Sequence, residues 1–145
     1  MLSVSSAVLA DDVRQITLQQ FGSGNSVTLG SLGADKPVYV KMWATWCKPC
    51  MEQMPHFEAL QQQYGDKVNF VAVNININES HDKITQVINR FNLTMPVWLD
   101  NEGQLGVALG LTGTPYSVLA NSTGTVVYTT HESDANLDRF IAMLA

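Results

Sequence analysis

The feature that most constrains the fold is a strand-like segment that leads into a pair of cysteines and then into a helix-like segment. Residues 37–43, PVYVKMW, are rich in β-branched and aromatic side chains and so favour a strand. The chain's two cysteines, Cys47 and Cys50, follow in the stretch WATWCKPC. From Lys48 to about Tyr64, apolar residues recur at helical spacing. The sequence therefore predicts that the cysteines lie where a strand ends and a helix begins.

Further strand-like and helix-like segments alternate along the chain. Strands are predicted at residues 13–21, 68–77, 95–100, 115–120 and 125–130. Helices are predicted to begin at Ser80 and Ser133, whose hydroxyl groups suit N-cap positions. The last two strands are separated by NSTG, which has the chemistry of a hairpin turn. This order predicts an α/β domain in which helices cover a central sheet.

The composition is typical of one globular domain. At 145 residues, with 46% hydrophobic and 14% charged residues, the chain is long enough to bury a core without metal or disulfide support. Eight basic and thirteen acidic residues give a net charge of −5, which argues against a nucleic-acid partner. No apolar run in the sequence reaches the ~18 residues of a membrane-spanning helix.

The first twelve residues differ in character from the rest of the chain. Val8 and Ala10 occupy the small-residue positions of a secretory cleavage site that would cut before Asp11. A positively charged start is missing, and the frayed terminus of a cytosolic protein is the alternative. We interpret residues 1–12 as the remnant of an export signal or a disordered N-terminus, and residues 13–145 as the folded domain.

A Cys-x-x-Cys pair at a helix N-terminus has a specific chemistry. Unpaired backbone N–H groups and the positive end of the helix dipole stabilise a thiolate there, most strongly at Cys47. We therefore predict that Cys47 has a lowered pKa, is exposed and acts as the nucleophile. Cys50, one turn further along, is placed to attack a mixed disulfide formed at Cys47. Pro49 stiffens the first turn at a position where its missing N–H costs nothing.

Two other roles for the cysteines are weaker. A zinc site needs about four ligands, and the chain adds only His56, His81 and His131, none of them at a paired spacing. A structural disulfide across two intervening residues closes a loop too small to stabilise the fold much. We therefore predict redox chemistry at the cysteines and no metal site.

The stretch WATWCKPC resembles the active site of the thioredoxin superfamily. Pro55, five residues after Cys50, matches the proline that kinks the active-site helix of that family, and residues 112–119, TGTPYSVL, resemble its cis-proline segment. The spacing of residues 95–115, with a helix–strand insertion before them, is similar to the exported TlpA/ResA-like branch. The resemblance covers residues 13–145. It implies a thioredoxin-like fold: a central mixed β-sheet flanked by helices, with the αβ insertion of that branch.

The resemblance also implies a substrate-binding face beside the cysteines. Pro115, in the cis form, would hold Thr114 next to Cys47, where the Thr114 backbone would pair with an extended strand of the substrate. Trp46 and Tyr116 would form apolar walls around the two sulfur atoms.

Two positions depart from the family. Thioredoxins place a buried aspartate six residues before the first cysteine, and the TlpA/ResA-like branch often has a glutamate three residues after the second. Here these residues are Lys41 and Gln53, and Glu52 lies about 100° round the helix, which makes it a poor substitute. Lys41 either reaches beneath the cysteines, to stabilise the Cys50 thiolate or act as its base, or extends along the strand to solvent. The second orientation is favoured, because long lysine side chains usually keep their amine in water.

These features predict an exported thiol:disulfide oxidoreductase of the bacterial periplasm or the outer face of the cytoplasmic membrane. Lys48 and Pro49, between the cysteines, resemble the proline-containing centres of reducing members. The protein is therefore expected to reduce disulfides of exported proteins, with a role in cytochrome c maturation among the candidates. The Cys47–Cys50 pair would be the redox centre, without another cofactor. The expected electron donor is a membrane-borne, thioredoxin-like domain, and the expected oligomeric state is a monomer.

Two rival functions stay open at this point. A disulfide oxidase or isomerase would use the same cysteines at a more oxidising potential. A redox-inactive module would hold peptides in the groove at Thr114 and Pro115 and would not need the Cys47 thiol.

Overall fold

The structure is a computed structural model that describes residues 14–32 and 35–145, so the predicted N-terminal segment 1–12 lies outside it. Its seven strands are β1 Thr17–Gln20, β2 Ser26–Thr28, β3 Val38–Trp43, β4 Asn69–Asn74, β5 Val97–Leu99, β6 Tyr116–Ala120 and β7 Val126–Thr130. Its helices are α1 Leu29–Leu32, α2 Lys48–Tyr64, α3 His81–Phe91, α4 Gln104–Leu109 and α5 Ala135–Leu144, with a 3-10 turn at Asn101–Gly103. The alternation of strands and helices predicted from the sequence is present.

The strands form one mixed sheet in the order β2-β1-β5-β4-β3-β6-β7. At its centre, β3 pairs in parallel with β4 and antiparallel with β6. The helix–strand pair α3–β5 places β5 in parallel beside β4 and antiparallel to β1. All six residues of β3 are buried, as expected for a central strand covered on both faces, and Lys41 is its one charged member.

Aromatic side chains fix α2 against the middle of the sheet. Tyr39 on β3, Phe57 on α2 and Phe70 on β4 are all buried, and their ring centroids lie 5.0 to 5.5 Å apart in tilted or edge-on arrangements. Such a pair contributes about 0.5–1.5 kcal/mol beyond the burial of its surface. This cluster holds the axis of α2, and with it the position of the cysteines at the N-terminus of that helix.

The helix ends agree with the sequence in one case and differ in another. The Ser80 hydroxyl oxygen accepts the Lys83 N–H at 3.2 Å, so Ser80 is the N-cap of α3 as predicted. The predicted cap of α5, Ser133, is wrong by one residue. A carboxylate oxygen of Asp134 accepts the Leu137 N–H at 2.9 Å, because Asp134 stands three residues before that unpaired donor.

Helix α2 continues past Pro55 to Tyr64, and a kink at Pro55 stays a prediction. Across the described ranges, every helix is too short or too polar to cross a bilayer.

Candidate active site

Cys47 and Cys50 lie at the junction between β3 and α2 and are joined by a disulfide. Cys47 is the N-cap of α2, with an extended backbone, and its Sγ accepts the Cys50 N–H at 3.2 Å. Pro49 occupies the first turn, where no backbone donor is required. In the reduced protein the same N–H group and the helix dipole would face a thiolate at Cys47. The junction therefore favours negative charge on Cys47 over Cys50.

The two sulfur-bearing residues differ in access to solvent. Cys50 is completely buried, whereas Cys47 keeps 6% of its surface accessible, so the expectation of an openly exposed Cys47 is wrong. Trp46 next to it is 52% exposed, and its indole N–H donates to the Ile77 carbonyl at 2.7 Å. This hydrogen bond fixes the Trp46 ring as a rim beside the disulfide. A partner can reach Cys47 only over a narrow opening, and it cannot reach Cys50.

Lys41 is completely buried, so the favoured prediction that its amine reaches solvent is wrong. Its Nζ donates to Gln53 Oε1 on α2 and to the Ser117 hydroxyl on β6, the latter at 3.3 Å. Ser117 is also the residue directly opposite Lys41 across the β3–β6 ladder. In the described part of the chain, the one ion pair within 4.0 Å joins His56 and Asp138, so no carboxylate neutralises Lys41.

This burial changes the proton affinity of the polar groups beneath the cysteines. Desolvation lowers the pKa of Lys41 from 10.5 to about 7. The Tyr39 hydroxyl lies 3.0 Å from the Ser117 hydroxyl, and burial raises the pKa of Tyr39 well above its ordinary value. The result is a buried polar row of three residues, Lys41, Ser117 and Tyr39. This row is either neutral or positively charged, and it contains no acidic residue.

Gln53 connects this row to the cysteine helix and to a loop. Its amide nitrogen donates to the His131 carbonyl at 3.1 Å while its oxygen accepts from Lys41. Gln53 follows Cys50 by three residues, a spacing at which Cβ atoms on one helix face lie about 5–6 Å apart. Lys41 and Gln53, the two positions that depart from the family pattern, thus contact each other, and Gln53 lies about one helical turn after Cys50. Glu52 is exposed on another face and takes no part.

The Thr114–Pro115 peptide bond is cis, which is the conformation that the resemblance implied. Tyr116 lies opposite Met42 in the β3–β6 ladder, so Pro115 and Thr114 come at the end of the sheet where β3 leads to the cysteines. Tyr116 itself is only 9% exposed, and its hydroxyl donates to the Leu109 carbonyl at 2.9 Å. The role of these residues in binding a substrate stays a prediction.

A carboxylate that the sequence did not single out braces the cysteine loop. Glu79, partly buried after β4, accepts the Thr45 N–H at 2.7 Å and the Thr45 hydroxyl through its second oxygen. It also accepts the Asn74 side-chain amide at 2.7 Å. Glu79 and Thr45 are 34 residues apart, so no local pattern links them. An acidic residue directly before a helix cap was the one available signal.

We expect Glu79→Ala to destabilise the folded protein by about 1–3 kcal/mol, because three partly buried donors lose their acceptor. Urea unfolding of the oxidised protein measures this change. Glu132→Ala, which removes an exposed carboxylate of the same charge, is the matched control and is expected to have little effect. Equal stability of the two variants would contradict the bracing role.

In residues 14–32 and 35–145, three or more histidine, cysteine or acidic side chains do not come together in a way that suits a metal ion. His56 contacts Asp138 of α5 at 2.7 Å.

The sequence is similar to a known protein family and to thiol-disulfide oxidoreductases. The Redoxin family model matches residues 9–141. The thioredoxin-like protein YneN of Bacillus subtilis is 42% identical over 69 residues, which are 47% of this chain and 41% of that protein. The thiol-disulfide oxidoreductase ResA of Halalkalibacterium halodurans is 32% identical over 105 residues, which are 72% of this chain and 58% of that protein. The chain thus spans about half the length of the curated relatives it matches.

Solved structures share the fold at low sequence identity. A secreted disulfide oxidoreductase of Mycobacterium tuberculosis superposes with a TM-score of 0.79 at 21% identity, over 93% of this chain and all of the other. StoA of Bacillus subtilis superposes with a TM-score of 0.71 at 23% identity, over 86% of this chain and 94% of the other. The predicted mixed-sheet fold is confirmed.

Proposed function

The chain belongs to the Redoxin family, in the TlpA/ResA-like part of the thioredoxin superfamily, and from this premise we propose that it is a thiol:disulfide oxidoreductase that reduces disulfides of exported proteins. The observation that carries the proposal is the Cys47–Cys50 disulfide at the start of α2, in which only Cys47 keeps contact with solvent. A buried partner sulfur beside an accessible one is suited to transfer of a disulfide between proteins.

The proposed reaction moves two electrons from the reduced cysteine pair to the substrate. The Cys47 thiolate attacks one sulfur of a substrate disulfide, so that a mixed disulfide forms and the other substrate sulfur leaves as a thiolate. Cys50 then loses its proton and attacks the Cys47 sulfur. The Cys47–Cys50 disulfide forms, the second substrate sulfur is released, and a dithiol of the electron donor later reduces the pair again.

Lys41 is the residue proposed to assist the second step. Its amine is buried and donates to Ser117 and to Gln53, which follows Cys50 by three residues on α2, and it has no carboxylate partner in the described part of the chain. Because the pKa of Lys41 is lowered to about 7, its ammonium form would stabilise a Cys50 thiolate with little water to screen the attraction, and its neutral form would accept the Cys50 proton.

The substrate-binding roles of Trp46, Thr114, Pro115 and Tyr116 are also part of the proposal. Thr114 lies just before β6, at the end of the sheet next to the cysteine loop, where its backbone would form hydrogen bonds with an extended substrate segment. Trp46 offers an exposed apolar surface on the other side. Tyr116 is largely covered and would support this face from below rather than contact the substrate broadly.

The proposal also covers the cellular location, the direction of electron transfer and the partner proteins. One structural neighbour is a secreted disulfide oxidoreductase, which supports a location outside the cytoplasm. The finer proposal is the bacterial periplasm or the outer face of the cytoplasmic membrane. Lys48 and Pro49 between the cysteines favour the reducing direction. The proposed partners are exported disulfide proteins, apocytochrome c among the candidates, and a membrane-borne thioredoxin-like donor. The protein would act as a monomer with no cofactor beyond its own disulfide.

The reduction potential of the Cys47–Cys50 pair tests this function directly. Equilibration with glutathione or dithiothreitol, read by alkylation of free thiols, is expected to give a potential below about −200 mV, on the reducing side of the family's range. A value of about −120 mV would instead identify an oxidase. Failure of the reduced protein to reduce any disulfide peptide would favour the redox-inactive binding module.

A further inference from the structure

A groove runs from the exposed face of Trp46 between the first turns of α2 and the length of α3. It consists of two adjoining depressions of about 310 and 560 Å³. Both depressions are lined by Thr45, Trp46, Met51 and Arg90, so they form one continuous surface. The groove starts at Trp46, the residue before Cys47, and extends away from Cys47. A segment of a substrate held at Cys47 therefore has a path along this surface.

The groove is positively charged, although the chain as a whole carries a net charge of −5. Lys48, Lys83 and Arg90 line it, which is three of the chain's eight basic residues, and Glu52 is its one acidic lining residue. In the described ranges, none of the three cations lies within 4.0 Å of a carboxylate. Their charges are therefore available to a ligand.

The groove also has apolar lining residues, and one of its cations is held in place by an aromatic ring. Met51, Pro55, Val87 and Phe91 supply apolar surface along the two depressions. The Arg90 guanidinium lies over the Phe91 ring, 4.8 Å from its centroid, and this contact orients a long side chain that would otherwise be free to move. An oriented arginine beside two lysines is suited to bind carboxylates.

We propose that this groove binds an acidic segment of the substrate protein, adjacent to the disulfide that Cys47 attacks. The inference rests on the proposed function and adds the chemical class of substrate that the enzyme selects. The occupant is a peptide with both acidic and apolar side chains, because cationic and apolar side chains line the same groove. The carboxylates of this segment would pair with Lys48, Lys83 and Arg90, which have no carboxylate within 4.0 Å in the described part of the chain.

Three disulfide-bridged peptides that differ only in two residues next to one cysteine test this proposal. These residues are Glu in the first peptide, Gln in the second and Lys in the third. With the reduced full chain at low ionic strength, we expect the Glu peptide to be reduced about 3-fold faster than the Gln peptide and about 10-fold faster than the Lys peptide. At 1 M salt the three rates are expected to converge, because the Debye length falls to about 3 Å.

The double variant Lys83→Ala/Arg90→Ala is expected to lower the rate for the Glu peptide to that for the Gln peptide. Lys67→Ala/Arg139→Ala makes the same change in net charge at exposed residues that do not line the groove, and it should keep the preference. Equal rates for all three peptides in the unmodified protein would overturn the proposal. So would a Glu preference that survives in the groove variant, or one that disappears in both variants alike.

Binding without chemistry separates this inference from the proposed function. In Cys47→Ser/Cys50→Ser, titration with each peptide is followed by tryptophan emission, to which the exposed Trp46 responds most directly. Tighter binding of the Glu peptide that is lost on adding Lys83→Ala/Arg90→Ala supports the groove as a binding site for acidic segments. This holds even if the unmodified protein reduces no peptide. Equal binding of all three peptides to this cysteine-free variant would overturn it.

Discussion

Cys50→Ala is expected to stop the protein after its first chemical step, as a covalent adduct with its substrate. The Cys47 thiol still has the start of α2 to stabilise its thiolate, so attack on the substrate disulfide proceeds. The second sulfur is missing, and at 6% exposure the adduct sulfur of Cys47 is shielded from other thiols. We expect multiple turnover to be lost completely and one mixed disulfide to accumulate per protein molecule.

Cys47→Ser is the matched variant that separates the roles of the two cysteines. Cys50 is completely buried, so its thiol has no access to a substrate disulfide, and this variant is expected to form no adduct. Non-reducing electrophoresis and mass spectrometry of material captured by each variant measure the difference. Adducts of equal amount through either cysteine would contradict the assignment of Cys47 as nucleophile. The proteins captured by Cys50→Ala would also identify the natural substrates.

Lys41→Met is expected to change how stability depends on pH. Burial lowers the pKa of Lys41 to about 7 in the folded protein, whereas the unfolded chain keeps a value near 10.5. Between about pH 7 and pH 10 the unfolded state therefore binds a proton that the folded state does not. Stability rises with pH through this window, and below pH 7 the full cost of a buried ammonium group is present. At about 1.4 kcal/mol per pH unit, the change is on the order of 4 kcal/mol.

The variant lacks this titration, so its stability relative to the unmodified protein should be highest at pH 6 and should decline towards pH 10. Urea unfolding of both oxidised proteins across this range measures the difference, and the disulfide keeps thiol ionisation out of the comparison. Tyr39 is present in both proteins, so its own titration at higher pH largely cancels. Lys67→Met, at an exposed lysine, is the control. Parallel pH curves for the unmodified protein and Lys41→Met would contradict a buried amine with a lowered pKa.

The same variant has a kinetic consequence for the proposed reaction. Without the partly protonated Lys41 amine, the pKa of the Cys50 thiol is expected to rise and resolution of the mixed disulfide to slow near neutral pH. Stopped-flow measurement of product release against pH separates this effect from a change in stability. An unchanged pH–rate profile would remove Lys41 from the mechanism while leaving the two cysteines in their roles.

Local patterns were enough to predict the strand, cysteine and helix unit of the active site. The order of elements around Cys47 and the cap at Ser80 depend on residues within a few positions of one another, and such relations can be read from the sequence. The orientation of Lys41 depends on Gln53 and on Ser117, 76 residues away. A lysine in a strand does not reveal whether buried hydrogen-bond partners lie near its amine. The expectation that the Lys41 amine reaches solvent was wrong for this reason.

The bracing carboxylate was missed for the same physical reason. Glu79 meets Thr45 only because β4 runs in parallel beside β3 and both strands end at one edge of the sheet. Register between strands brings these residues together, and register depends on the whole fold. The limited exposure of Cys47 is likewise a property of the neighbouring chain segments rather than of the Cys-x-x-Cys sequence.

The segment that leaves the sheet at β4, passes through α3 and returns at β5, here called the excursion, has a different role from the unit of strand, cysteines and helix. It leaves the sheet at β4 and returns at β5, the strand hydrogen-bonded to β4, so both of its ends are anchored side by side. Ile77, Glu79, Lys83 and Arg90 all belong to it, and they provide the wall beside the disulfide but none of the sulfur chemistry. Glu79 and the Ile77 carbonyl hold the cysteine loop and Trp46, but the remaining side chains of the excursion make neither of these hydrogen bonds. Substitutions among them would alter the surface beside the disulfide and leave the strand, the cysteines and the helix that carry the electrons unchanged.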